Sequence, residues 1–219
     1  MDIKTLCNSF VEGVEKWFDM DFIPINAPVL GVSFVPIHTY ARGDAPLIGK
    51  TCVVLGKERG GVYANKLNFF GGKMSDKTGK FCTGRDVSQV LFEEVYEELH
   101  IALSPSEFGK ALVNCYQIPY NNGVSLVFVV HVTGISRSVW EKEHNQRVKS
   151  NVSWKFAEMS AIEHVPIDEL HKYNNLSQFV ELVSQNISIS CVGLSKRKGV
   201  YCKVFNLVTV RDQSVMVVA

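Results

Sequence analysis

A single mixed α/β domain, extended at both ends, is the fold this sequence predicts. Three observations point to it. Runs of β-branched residues alternate with helical periodicities along the chain. The 219 residues, 46% of them hydrophobic and 21% charged, suffice for one sizeable core and match ordinary globular proteins. The order of elements, strands interleaved with helices and with no internal repeat, is that of an α/β or α+β domain.

Ile3, Leu6, Phe10, Val14, Trp17 and Phe18 recur near the helical period, so residues 3–18 predict an amphipathic helix that stops before Pro24 and Pro28. Val29–Ile37 and Thr51–Leu55 read as strands, joined by a loop containing Gly43, Pro46 and Gly49. Lys66–Phe70 reads as a short strand that runs into Gly71-Gly72, and a polar loop follows to Gly84. From Asp86 to Leu99 the pattern is helical: Val87, Val90, Leu91, Val95 and Leu99 form one apolar stripe, with Asp86 near the N-terminus as cap or first-turn acid. Ala111–Ile118 and Val124–Thr133 predict a hairpin turning across Pro119–Gly123. Ser136–Lys149 predicts a helix or an ordered loop, Glu158–Val165 a strand, and Leu176–Val183 a short helix capped by Asn174 or Asn175. Ile187–Val192, Val200–Phe205, Leu207–Val210 and Val215–Val218 are strand-like. The expected division is an N-terminal helical extension over 1–27, a central domain over 28–185 and a β-rich extension over 186–219.

Lys and Arg number 23 against 22 Asp and Glu, and the formal net charge of +1 excludes a nucleic-acid binder that works by bulk charge. Six cysteines without a Cys-x-x-Cys pair read as reduced thiols. No apolar run reaches the roughly 20 residues of a membrane span, and Met1-Asp-Ile-Lys-Thr5 lacks the order of a signal peptide. A cytoplasmic protein without a membrane partner is the expectation; oligomeric state is not legible.

The chemistry is concentrated in Phe92–Leu99. Glu94, Glu97 and Glu98 are related by i, i+3 and i+4, and no Lys or Arg lies between Asp86 and Leu99 to relieve their repulsion. A hard divalent cation, Mg2+ or Mn2+, is the natural counter-charge for such a face; a solvated acidic face is the alternative. Upstream, a strand ending in Gly71-Gly72 offers backbone groups that can approach phosphates or a metal closely.

This strand–Gly-Gly–loop–helix unit resembles the signature of the Nudix hydrolases, Gly-x5-Glu-x7-Arg-Glu-U-x-Glu-Glu-x-Gly-U, where U is aliphatic. Glu94 to Ile101 matches its final half, with His100 in place of the glycine. Arg85 stands where the first signature glutamate belongs and Glu93 where the arginine belongs, so both charges have exchanged sign together. Strict spacing makes Gly79 the first signature glycine; context favours Gly72, which closes a strand and implies a loop seven residues longer. Weaker similarity extends to Val53–Arg59, Asn68–Lys73 and Glu158–Leu170, covering residues 29–185 in all.

The resemblance implies a Nudix-type α/β/α sandwich with a mixed sheet. It also implies metal-dependent hydrolysis of a diphosphate linkage in a nucleoside diphosphate linked to another moiety. Glu94, Glu97 and Glu98 are then metal ligands, joined by the Gly72 carbonyl. The general base is Glu98 itself or Glu158, with Glu143 behind it. Phe69, Phe70 and Lys73 are candidate substrate contacts; Tyr63, Tyr116 and Tyr120 are further aromatic candidates, although such rings more often pack. His38, His131 and His164, set among apolar residues, are expected to be packed and satisfied.

The tail carries Lys196-Arg197-Lys198, Lys203 and Arg211 against Asp212 alone, which keeps capped RNA or a diphosphoinositol phosphate open as the substrate. A catalytically silent nucleotide- or protein-binding module is the third reading. Arg85 and Glu93 are expected to form a structural ion pair. Arg85→Glu should therefore lower the thermal midpoint, and adding Glu93→Arg should restore it. A double mutant no more stable than the single one would exclude the pair.

Overall fold

The computed structural model describes residues 29–40, 47, 49–74, 87–99, 108, 111–120, 123–132, 141–142, 144–146, 149–150, 158–181 and 183–184. The expected N-terminal helix, the β-rich tail with its basic cluster, and Arg85 and Glu143 lie outside them.

Among the described residues seven strands form one sheet: β1 (Val29–Thr39), β2 (Thr51–Glu58), β3 (Leu67–Asn68), β4 (Phe70–Lys73), β5 (Leu112–Tyr120), β6 (Gly123–His131) and β7 (Met159–Pro166). One long helix, α1 (Val87–Leu99), and a 3-10 helix, Ile167–Lys172, complete the named elements. β1 is central. It runs parallel to β6 along its length, and its other edge is divided: Gly31–Phe34 pairs with β4 and Ile37–Thr39 with β2. β2 in turn pairs with β3 and, on its far edge, antiparallel with β7.

β1 is an interior strand with both faces covered, so it reads as a near-continuous apolar run. Val32 and Phe34 join the core beneath α1, whereas Val35 and Ile37 join a second core on the opposite face. That second core is closed by Ile167, Leu170, Leu176, Val180 and Val183. The layering of helix, mixed sheet and helical turns is the expected one. Burying four residues of α1 completely (Val90, Leu91 and Val95) or nearly so (Val87) is what holds a helix this acidic against the sheet.

Four local expectations are corrected. The strand expected over Lys66–Phe70 is two strands: at Phe69 the chain leaves its pairing with β2 and takes up pairing with β1. The β5–β6 strands pair as far as Tyr120 and Gly123, so the connection is only residues 121–122, and Pro119 lies within β5. Two-residue connections are the favoured hairpin closure, and β5 ends the sheet order, where a missing N–H is tolerated. Leu176 is not helical but bridges Leu67. The helical turn begins after Ser177, whose Oγ accepts the Val180 N–H at 3.1 Å, so Ser177 and not Asn174 or Asn175 is the cap. Among the described residues no helix is long and apolar enough to cross a membrane.

Candidate active site

The site forms where β4 passes under α1. Gly71 and Gly72 sit opposite Ser33 and Val32 of β1, and the acidic turns of α1 close over them. The Gly71 N–H donates to Glu98 Oε2 at 2.7 Å. A Cβ on Gly72 would collide with the Glu94 carboxylate. Gly71 has φ +151°, and a Cβ there would collide with the Val32 carbonyl oxygen. Both positions therefore need glycine: one for conformation and for the approach to β1, the other to let Glu94 approach the backbone. The Gly-Gly pair and two of the four helix glutamates form one structure.

Glu97 and Glu98 are buried, at 8% and 5% exposure, and Glu93 and Glu94 half-buried. Burial, and after it the charge of Glu94, pushes the Glu98 carboxyl well above the usual carboxylate range, against the opposing hydrogen bond from Gly71; Glu58 and Glu158 push it further. Burial also raises Glu58, against the hydrogen bond from Asn68, with Glu158 adding to the rise. Carboxylates from three segments thus act on Glu98: Glu94 on the same helix, Glu58 at the end of β2 and Glu158 just before β7, and Glu158 acts on Glu58 as well. Glu158 is half-buried, and its backbone carbonyl accepts the Arg59 N–H at 2.8 Å, which ties the start of β7 to the end of β2.

Glu97 is buried on the same helix. Glu93 accepts a hydrogen bond from Gln89 Nε2 at 2.9 Å, one helical turn away; its expected pairing with Arg85 falls outside the described residues. Lys73 is exposed at the end of β4.

Phe69 and Phe70 are corrected as substrate contacts. Phe70 is completely buried beneath α1, and Phe69 is 3% exposed in the opposite core, where it meets Phe179 edge to face. Alternation along the strand sends the two rings to opposite faces, and neither offers a free face to a ligand. Phe69→Leu should accordingly cost on the order of 1 kcal/mol of stability with KM unchanged; a KM increase at unchanged stability would return Phe69 to the binding site.

Of the three histidines, His164 Nδ1 is hydrogen-bonded to the buried Tyr40 hydroxyl and His38 Nδ1 to Val132 O at 2.7 Å. Both are packed, as expected.

Glu58 is the residue that reading the sequence missed. The signal was present: alternation puts Cys52, Val54, Gly56 and Glu58 on one face of β2, the face covered by α1. The expected strand stopped at Leu55, three residues short.

Among the described residues no three His, Cys, Asp or Glu side chains converge into a complete metal cage. Magnesium does not require one, since it keeps several waters and is bound by one or two carboxylates together with substrate phosphates. Two carboxylates crowded against glycine backbone, one of them pushed up by burial and like charge, fit that mode of binding. A dication would supply counter-charge to them.

No known family profile matches the chain, and no curated protein matches it. Solved structures similar to it include Nudix and MutT proteins. The NUDIX domain of Shewanella oneidensis NrtR, complexed with ADP ribose, is 11% identical, with 82% of this chain and 99% of that one covered and a TM-score of 0.44. A MutT NUDIX hydrolase from Burkholderia pseudomallei is 17% identical, covering 71% and 98%, with a TM-score of 0.39. A C. elegans Ap4A hydrolase in a binary complex is 13% identical, covering 76% and 99%, with a TM-score of 0.43.

Proposed function

We propose that this chain is a divergent Nudix hydrolase that cleaves a diphosphate linkage in a nucleoside diphosphate joined to another moiety, with Mg2+ or Mn2+ as cofactor. The observation that carries the reading is the closure of Glu94 and Glu98 onto Gly71-Gly72, a buried acidic pair held against glycine backbone.

In this reading Glu94, Glu97 and Glu98, with the Gly72 carbonyl, hold the cation. When bound, the ion neutralises phosphate charge and makes water acidic enough to ionise near neutral pH. Glu158 is the general base assigned here, taking a proton from the attacking water on a carboxylate oxygen; Glu98 is the alternative. Lys73 contributes positive charge toward the phosphates.

The test is turnover of a substrate panel by the purified protein with Mg2+ or Mn2+: sugar nucleotides, dinucleoside polyphosphates, ADP-ribose, capped RNA and diphosphoinositol phosphates. Cleavage of a small nucleotide between its phosphates is the expected result. Turnover confined to capped RNA or an inositol substrate, and lost on deleting residues 195–219, would move the assignment to a polyanion. No product from any of them, together with no metal uptake, would leave a silent binding module.

A further inference from the structure

Glu158, the general base assigned above, immediately precedes β7, where the ladder with β2 is irregular. From Cys52 opposite Pro166 to Lys57 opposite Ala161 the two strands keep one register. The next pair is Glu58 with Met159, so Ser160 has no residue opposite it and forms a β-bulge. Pairing continues one step further, where the Arg59 N–H donates to Glu158 O at 2.8 Å. An unbroken register would set Ser160 against Glu58 and Glu158 against Gly60. The extra residue therefore brings Glu158 one place, about 3.3 Å, closer along β2 to Glu58.

Two contacts hold the bulge. Ser160 Oγ donates to Lys57 O on the neighbouring strand at 3.0 Å. Met159, 2% exposed, packs in the core beneath α1 and over Gly56, where a Cβ would collide with its Sδ. Alternation counted from Ile162, which also packs against that core, would turn Met159 to the opposite face; the bulge returns it. The chain bends at Glu158, so alternation ends there, and its charge acts on both Glu58 and Glu98.

The β2 side of the bulge is fixed independently. The Glu58 N–H donates to Lys66 O and its carbonyl accepts the Asn65 N–H, both at 2.9 Å. Asn68 Nδ2 donates to Glu58 Oε1 at 3.0 Å, and the buried Ser177 donates through Oγ to Asn68 Oδ1 at 2.8 Å. A slip of the bulge therefore moves Glu158 and leaves Glu58 in place.

We propose that Ser160 is a positioning residue, whose hydroxyl holds the bulge that sets Glu158 in place to take the proton of the attacking water. The proposal rests on the reading of the chain as a hydrolase with Glu158 as its base. The test is steady-state hydrolysis, with Mg2+, of the small nucleotide that the wild-type chain cleaves fastest among sugar nucleotides, dinucleoside polyphosphates and ADP-ribose.

Ser160→Ala should lower kcat by about tenfold at unchanged KM and unchanged circular dichroism. Ser160→Thr, which keeps the hydroxyl, should restore it. Glu158→Gln should lower kcat by about 100-fold or more. Adding Ser160→Ala to Glu158→Gln should bring no further loss, because residues that act through one another are not additive. A full additional loss in the double variant, or wild-type kcat in Ser160→Ala, would overturn the role of Ser160 and leave the hydrolase standing. Wild-type turnover in Glu158→Gln would overturn this proposal and leave a hydrolase with Glu98 as its base. A wild-type chain that cleaves none of these nucleotides would overturn both. Should Ser160→Ala not fold, Ser160→Gly takes its place, since glycine accepts the backbone of a bulge.

Discussion

Glu98→Gln is expected to remove nearly all metal-dependent hydrolysis and, in metal-free buffer at neutral pH, to make the protein more stable. In the proposed reading, loss of activity follows from loss of the charge that would hold the cation, and a fall of on the order of 100-fold or more is expected. The gain in stability follows from burial. The folded chain holds the Glu98 carboxyl well above its ordinary value of 4.5, so between that value and the folded one the native state keeps a proton that the unfolded chain has released. The native state then binds more protons, and this group's contribution to stability falls as pH rises through the window; it is fully present below about 4.5. Gln still accepts from Gly71 N–H and carries no charge. The difference in stability between variant and wild type, read from their thermal midpoints, should grow from pH 4.5 to 7, reaching on the order of 1 kcal/mol. A variant that is less stable than wild type across the range would refute the account of a repelled, buried carboxyl. Glu97→Gln is expected to lose activity similarly. Near-wild-type turnover in both variants would end the metal-site reading.

Gly71→Ala should be the most damaging small substitution in the site. The added methyl meets the Val32 carbonyl, in the backbone of the central strand, at a φ that L-residues rarely adopt. Strain of that kind costs about 1–3 kcal/mol before any packing loss, and relief requires β4 to move off β1, taking the Gly71 N–H away from Glu98. Chemical denaturation should show the lower midpoint and hydrolysis should fall with it. Gly72→Ala differs in kind: its methyl meets a side chain, the Glu94 carboxylate, which can swing aside. It should keep most of its stability and lose metal affinity. Equal destabilisation by the two would contradict this division between backbone and side-chain clash.

How much of this was legible in the sequence depended on whether a residue's role is local. The stripe Val87, Val90, Leu91, Val95 and Leu99 is a periodicity, and α1 starts one residue from where that pattern put it. The Gly-Gly pair and the glutamates could be linked through their resemblance to a signature. Which glutamate meets which glycine could not, because that depends on the distance between β4 and α1. Phe69 and Phe70 looked like a binding pair since they precede the glycines; alternation sends them to opposite faces, but that both faces are covered is set by packing from distant segments, which no local pattern encodes. Glu58 was missed for a related reason: its neighbours in space, Asn68 and Ser177, are 10 and 119 residues away in sequence, and Ser177 looked like part of a helix, not its cap.

The divided edge of β1 has a consequence for the order in which the molecule is built. Gly71 and Gly72 are placed only when β4 lies on β1, yet Val29 pairs in parallel with Val124, so β1 itself is secured by a strand made much later in the chain. Contacts between residues so distant in sequence form slowly, after the entropy of closing a long loop has been met. During synthesis the acidic helix therefore emerges after the glycines that face it but well before β6, the strand that secures β1 beneath them. The site should be among the last features to mature, and a dication that binds only the finished form would draw the whole fold to completion by mass action.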